Sequence, residues 1–299
     1  MRIAVIVNPA KVRHGARFRK VLEAELAARG LPPPHHLLTT IDDPGAGQAR
    51  QALDDGATRI LVAGGDGTVR MVLGALQGTR TPVGLLPAGT GNVLARNLRI
   101  PLRLRPAVRL ALDGVPRPLD LLRYEVLDEN GATGIRGFGT VMAGLGADAA
   151  VVADTHDRLK GWGWAGYAAA ALRHIRTRPV ETRVAVDGAV VVGNASLVAV
   201  GNVGELLRGL RLFPRATGAD GELSVLVAAP RHLGDVLTMM AGVVFRARRM
   251  PLVSRMSGRD VAVHCAKPTL CQVDGDLLGS VTAIRFEVLP GAATVVIQK

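Results

Sequence analysis

The chain has 299 residues, enough for two modest domains that together bury roughly 75% of the unfolded surface. At 48% hydrophobic and 21% charged residues, the composition is that of a globular protein and excludes a disordered one. A formal charge of +12 favours polyanionic ligands, but five Phe, two Trp and two Tyr are too few aromatics for a single-strand nucleic-acid platform.

A strand over 2–7 opens the chain, and Phe18, Val21, Leu22 and Leu26 then recur at helical spacing within 15–28. A strand over 35–40, a helix over 44–55, a strand over 59–63, a helix over 68–77 and a strand over 82–86 follow. Strands separated by helices of this length predict a parallel, doubly wound sheet. Ligands in such sheets bind at the carboxyl ends of the strands. Asn8-Pro9, Thr39-Thr40, Gly64–Thr68 and Gly89–Asn92 all fall at those ends.

After Pro116-Arg117-Pro118 the pattern changes to short strands, expected over 119–126, 135–143, 180–186, 189–200, 222–228, 260–265, 282–289 and 294–297. Asp187-Gly188 reads as a two-residue hairpin turn. Helices are expected over 163–176 and 231–249. In the latter, Leu233, Val236, Leu237, Met240 and Val244 form an apolar stripe ahead of Arg246, Arg248 and Arg249, a basic end suited to anionic headgroups. The second domain is therefore expected to be a β-sandwich, with the boundary near residue 121. No basic run of five marks a nucleic-acid tail, and Cys265 and Cys271 lack zinc spacing and fit a reducing compartment. Met1-Arg2 leads straight into the first strand, so no signal peptide is expected, and charges interrupt every apolar stretch short of the roughly 18–20 residues that span a bilayer. A cytoplasmic protein, at most peripheral to a membrane, is the expectation.

Three motifs carry chemistry. Gly64-Gly65-Asp66-Gly67-Thr68 sits between an apolar strand and a helix, where glycines admit an anion close to the backbone and the helix N-terminus adds partial positive charge. Asp66 in such a cradle would repel phosphate unless a cation lies between them, which points to a metal-bridged nucleotide. Leu86-Pro87-Ala88-Gly89-Thr90-Gly91-Asn92 is a second glycine-rich loop at the same sheet edge, with the Thr90 hydroxyl and backbone donors for the same ligand. Asp274-Gly275-Asp276 is a hairpin turn or a carboxylate pair that takes a proton or positions a metal. Gly144-Leu145-Gly146-Ala147-Asp148-Ala149 matches a dinucleotide fingerprint but lies in the β-rich half, without the expected acid about 20 residues on. There is no Walker A pattern, and no serine sits in a nucleophile elbow.

With Asn8-Pro9 and Asp220-Gly221-Glu222-Leu223, these motifs stand in an order and spacing that resembles the soluble lipid kinases with a diacylglycerol-kinase catalytic domain, which include the sphingosine and ceramide kinases. The resemblance covers nearly the whole chain. It implies an N-terminal ATP-binding α/β domain over 1–121, and a lipid-binding β-sandwich over 122–299 whose last strand is free to return to the first domain. The active site would lie in the cleft between them. It gives Asn8, Thr40, the segment Asp66, Gly67, Thr68, Val69, Arg70, Met71 and Val72, and Thr90 to ATP. It assigns a Mg²⁺ loop to Thr217, Asp220 and Glu222, the first and last through backbone oxygens, and places Asp120 in a water network near the metal.

The catalytic base would lie in Asp274-Gly275-Asp276, with Asp274 the favoured acceptor and Asp276 its rival. Two positions depart from the family pattern. Val93 follows Asn92 where many bacterial diacylglycerol kinases have Asp, and Asp276 replaces the usual Glu. The expected activity is transfer of the γ-phosphoryl of ATP to a hydroxyl of a membrane-derived lipid such as diacylglycerol or a sphingoid base, with Mg²⁺. An anionic membrane is the expected partner, nucleic acid is not, and a homodimer stays open. The competing readings are an NAD kinase-like enzyme and a catalytically silent lipid- or nucleotide-binding protein.

Overall fold

The computed structural model describes residues 1–128, 133–147, 149, 179–207, 210–230, 234–235, 238 and 253–299. The helix expected over 163–176 lies outside them, as do nearly all of 231–249, including its three terminal arginines, and Asp148 of the fingerprint-like motif. The chain divides into two compact units, one of Met1–Leu121 with Pro290–Lys299, the other of Leu122–Leu289.

The first unit contains β1 (Ile3–Val7), α1 (Gly15–Ala27), β2 (His35–Leu38), α2 (Ala46–Asp54), β3 (Arg59–Gly64), α3 (Asp66–Ala75), β4 (Val83–Pro87), α4 (Val93–Asn97), α5 (Leu104–Asp113) and the start of β5 (Val115–Leu127). The strands run parallel in the order β2-β1-β3-β4, and the chain's final strand adds beside β4, with Val295 opposite Val83. Ile3, Val5 and Val7 meet Phe18, Leu22 and Leu26 of α1 and Ala107, Val108, Ala111 and Leu112 of α5 in one cluster. The alternate residues Ala4, Ile6, Ile60 and Val62 are buried as well, and α2 and α3 pack on that side. Strands buried on both faces read as continuous apolar runs, which is why β1 and β3 stand out in the sequence.

The sequence reading missed α5. Its Pro106 falls in the first turn, where the missing N–H would have had no helical partner.

The second unit begins with the remainder of β5 and continues through β6 (Thr133–Gly139), β7 (Met142–Gly146), β8 (Val180–Val186), β9 (Ala189–Ala195), β10 (Leu197–Gly201), β11 (Glu205–Leu207), β12 (Leu210–Arg211), β13 (Leu223–Ala228), β14 (Val253–Gly258), β15 (Asp260–Val273) and β16 (Asp276–Ile297), which runs on into the first unit. Described pairings here are antiparallel. β15 is shared: Val261–Cys265 pair with β8, whereas Cys271–Val273 pair with β7, and between them the register against β16 shifts around Pro268. A strand that changes partners at a bulge lets two sheets close over one core, here Leu145, Val184, Val198, Val225, Val263 and Phe286 among others.

Some expected strands divide and others join. The run 135–143 breaks at Thr140-Val141 into β6 and β7, 189–200 breaks at Ser196 into β9 and β10, and the last two expected strands are one, β16. Asp187-Gly188 forms the two-residue hairpin anticipated for it, with φ of 47° and 86° and Val186 opposite Ala189. The fingerprint-like glycines fall in β7, antiparallel to β10 and β15, so they open no dinucleotide-binding βαβ unit.

Candidate functional site

At the carboxyl ends of β3 and β4 the two glycine-rich loops meet. Gly65 caps α3, and a Cβ placed on Gly89 would stand 2.6 Å from the Cα of Gly65, too close for any side chain. Only glycine lets the two loops touch this closely, and the head of α3, with the partial positive charge of a helix N-terminus, lies beside the contact. Asp66 lies in that turn and its Oδ1 accepts from the Leu94 amide at 3.3 Å, tying the first loop to α4 just beyond the second. Asn92 adopts a left-handed conformation (φ 47°). Its side chain holds Gly89 twice, accepting from the amide at 2.9 Å and donating to the carbonyl at 2.7 Å.

Asn8, at the end of β1, donates through Nδ2 to Thr68 Oγ1 at 2.9 Å. Thr40, at the end of β2, accepts from the Asp43 amide through Oγ1 at 3.0 Å, and the Asp43 carboxylate in turn accepts from the Gly45 and Gly47 amides. Gly45 packs on Thr68 and Val72 of α3. The fold thus gathers Asn8, Gly64, Gly65, Asp66, Gly67, Thr68, Gly89 and Asn92, and ties the Thr40 loop to them through Gly45. Thr90 lies exposed in the second loop. Of the remainder of the expected segment, Val69 and Val72 are buried and Arg70 and Met71 half-buried. Asp43 is the participant the sequence reading missed; a lone acid in a polar loop carries no motif.

In the second unit, Asp274 and Gly275 are the two central residues of a hairpin turn between β15 and β16. Their φ angles are 51° and 88°, and Val273 pairs with Asp276. Positive φ at both positions is the type I′ signature, which explains an Asp-Gly dipeptide without any catalytic demand. The Asp274 carboxylate is enclosed. Oδ2 accepts from the Thr140 amide at 2.7 Å and the Thr140 hydroxyl at 2.9 Å, and Oδ1 accepts from the amides of Val141 and Met142, each at 2.9 Å. A carboxylate offers about four lone-pair sites, so this one is saturated by structural donors. The expectation that Asp274 takes the substrate proton is at odds with this geometry. Asp276, two residues on, is exposed at the start of β16.

The loop before β13 folds around Asp220, whose Oδ2 accepts from the Thr217 amide at 3.0 Å and whose Oδ1 accepts from the Glu222 amide at 3.3 Å. Gly218 and Gly221 take the positive φ that lets the chain curl there. Asp120 is buried on β5 and accepts from the Gly291 amide at 2.7 Å, which anchors the returning end of β16 to the first unit. Among the described residues no three His, Cys, Asp or Glu side chains cluster as a metal site. The second unit also holds a cavity of about 240 Å³ walled by Leu145, Val180, Leu197, Val198 and Leu270. Among the described residues no helix is long and apolar enough to cross a membrane.

Comparison with known proteins follows the same division. Residues 2–124 match the diacylglycerol kinase catalytic domain, and residues 139–297 match the YegS C-terminal NAD kinase beta sandwich-like domain. A Mycobacterium tuberculosis protein named diacylglycerol kinase is 30% identical over 92% of this chain and 88% of its own. A crystal structure of a diacylglycerol kinase from Bacillus anthracis superposes with a TM-score of 0.70 at 20% identity, covering 99% of this chain and 97% of that one. Yeast NADH kinase in complex with NADH shares the fold more distantly, with a TM-score of 0.52 at 12% identity over 100% of this chain and 84% of the other. An α/β catalytic domain followed by a β-sandwich, matched along nearly the whole chain, places this protein in the diacylglycerol kinase family of lipid kinases.

Proposed function

We propose that the protein transfers the γ-phosphoryl group of ATP to the hydroxyl of a membrane-derived lipid, with diacylglycerol the first acceptor to try. The observation that carries this reading is the contact of the Gly65 and Gly89 loops at the head of α3, a glycine-lined cradle in which a Cβ on Gly89 would strike the Gly65 backbone. Such a cradle suits the phosphates of a nucleotide. Asn8 and Thr40 lie on neighbouring strand-end loops, Thr68 in the first turn of α3, and Thr90 is exposed on the second glycine-rich loop. Asp66 suits a cation bridged to those phosphates; Mg²⁺, when bound, would neutralise the charge they carry. A structural Mg²⁺, in the same reading, would be held by the Asp220 carboxylate, which the Thr217 and Glu222 amides orient, and by backbone oxygens of Thr217 and Glu222.

Phosphoryl transfer further needs a group to accept the proton of the attacking hydroxyl. Because Asp274 is saturated, the proposed acceptor is Asp276. The apolar walls of the second unit's cavity favour an aliphatic acceptor over NAD, and with it peripheral association with the membrane that supplies such lipids. ADP release by the full chain, with ATP, Mg²⁺ and a panel of diacylglycerols, sphingoid bases, ceramide and NAD, tests the reading. Release that depends on a lipid supports it; release that depends on NAD alone overturns it.

A further inference from the structure

The Asp274-Gly275 turn is held more firmly than a hairpin of its type requires. Besides the four bonds received by the Asp274 carboxylate, the Asp274 amide donates to the Met142 carbonyl at 2.8 Å. The Gly275 amide donates to Oε1 of Gln272 at 2.8 Å, and Gln272 is 2% exposed. Thr140 is fully buried and is itself fastened from behind. Its carbonyl accepts from Asn202 Nδ2 at 3.0 Å, and the Asn202 amide donates to the neighbouring Val141 carbonyl at 2.8 Å. A type I′ turn needs none of these side chains, since φ and the closing strand pair define it. The turn is thus held by Gln272 of β15 and by the β6–β7 junction, which Asn202 beyond β10 fastens in turn, and the residue delivered next is Asp276.

We propose that Thr140 and Gln272 are positioning residues for Asp276: the Thr140 hydroxyl acts through the Asp274 carboxylate, and the Gln272 amide oxygen acts through the Gly275 N–H. The proposal rests on Asp276 as proton acceptor. A carboxylate on a side chain one methylene shorter than Glu has less reach, so the angle at which its backbone is presented matters more. Removing one tether loosens the turn without unmaking the sheet, because the β15–β16 and β15–β7 ladders remain. Misplacing a reacting group by about 1 Å costs up to roughly 100-fold.

The experiment compares Thr140→Val, Thr140→Ser and Gln272→Met, each alone and combined with Asp276→Asn. Each is assayed by label transfer from γ-labelled ATP to dioleoylglycerol in detergent micelles, followed for hours so that slow variants are measurable. Thr140→Val and Gln272→Met are expected to lower kcat per folded molecule by about 10- to 100-fold with the KM for ATP nearly unchanged. Thr140→Ser, which keeps the hydroxyl, restores most of the rate. In the Asp276→Asn background neither change costs anything further, because the group they position is gone. Unchanged kcat, or a lower melting temperature with kcat per folded molecule intact, overturns the proposal. So does a loss that multiplies with Asp276→Asn, which would mean that the turn positions something else. An Asp276→Asn variant as active as wild type is a separate result and overturns the assignment of the acceptor itself.

Discussion

Gly65 and Gly89 stand 24 positions apart, yet a Cβ on Gly89 would lie 2.6 Å from the Cα of Gly65, and one on Gly65 would lie 3.3 Å from the Cα of Gly89. The obstacle is backbone in both directions, so no side-chain rearrangement relieves it. Gly89→Ala is expected to force the loops apart and weaken ATP binding more than 10-fold, and Gly65→Ala less, in keeping with the longer distance. Titration with a fluorescent ATP analogue checks the order of the two effects.

Asp66→Asn keeps volume and the acceptor for the Leu94 amide but removes the charge. The expected outcome is an unchanged melting temperature with lipid phosphorylation reduced on the order of 100-fold or more, since charge neutralisation at the phosphates is the main work of such a site. Wild-type activity in this variant would contradict the cation-bridged nucleotide.

Asp274 and Asp276 should fail differently. Asn at 274 cannot accept from all four donors of Thr140, Val141 and Met142, and each donor left without an acceptor away from water costs about 1–3 kcal/mol. Asp274→Asn is therefore expected to lower both the melting temperature, on the order of 5 °C, and activity. Asp276→Asn should lower activity by about 10²–10⁴-fold and leave the melting temperature alone. Thermal melts beside initial rates separate the two.

Among the described residues, the carboxyls held below their ordinary values lie on α1 and α5. The guanidinium groups of Arg109 and Arg29 hold the Glu25 carboxyl below its ordinary value of 4.5, and Arg29 holds Asp113 below its ordinary 3.8. Carboxyls depressed in the folded state contribute stability that is complete above their unfolded values and is lost as pH falls through the folded ones. Glu25→Gln should therefore lower the melting temperature at pH 7, and the gap to wild type should close as pH drops from 4.5 downward. A gap that stays constant through that range would show that the ion pairs of Glu25 with Arg29, Arg105 and Arg109 are not what the substitution removes.

The first unit was readable because β1, β3 and β4 are buried on both faces and its ligand loops carry glycines at strand ends, signals that are local in sequence. In the second unit the hairpins at Asp187-Gly188 and Asp274-Gly275 were equally visible as dipeptides. What Asp274 does was not, since its partner Thr140 lies 134 residues away and no local pattern marks a buried threonine as a donor to a distant carboxylate. The same distance hid the role of Asp120, which meets Gly291 across 171 residues. Helix α5 was missed for a different reason: Ala107, Val108, Ala111 and Leu112 do form a stripe with the exposed arginines at 105 and 109 off it, but Pro106 inside the run reads as a breaker unless the helix start just before it is recognised.

Where the γ-phosphoryl group goes is the most direct test of the account. Purified full-length chain, γ-labelled ATP, Mg²⁺ and extracted membrane lipids should yield label in a chloroform-soluble product, in an amount that depends on added lipid and falls with Asp276→Asn. Label that stays in the aqueous phase with every lipid, and enters NAD when NAD is supplied, would contradict it.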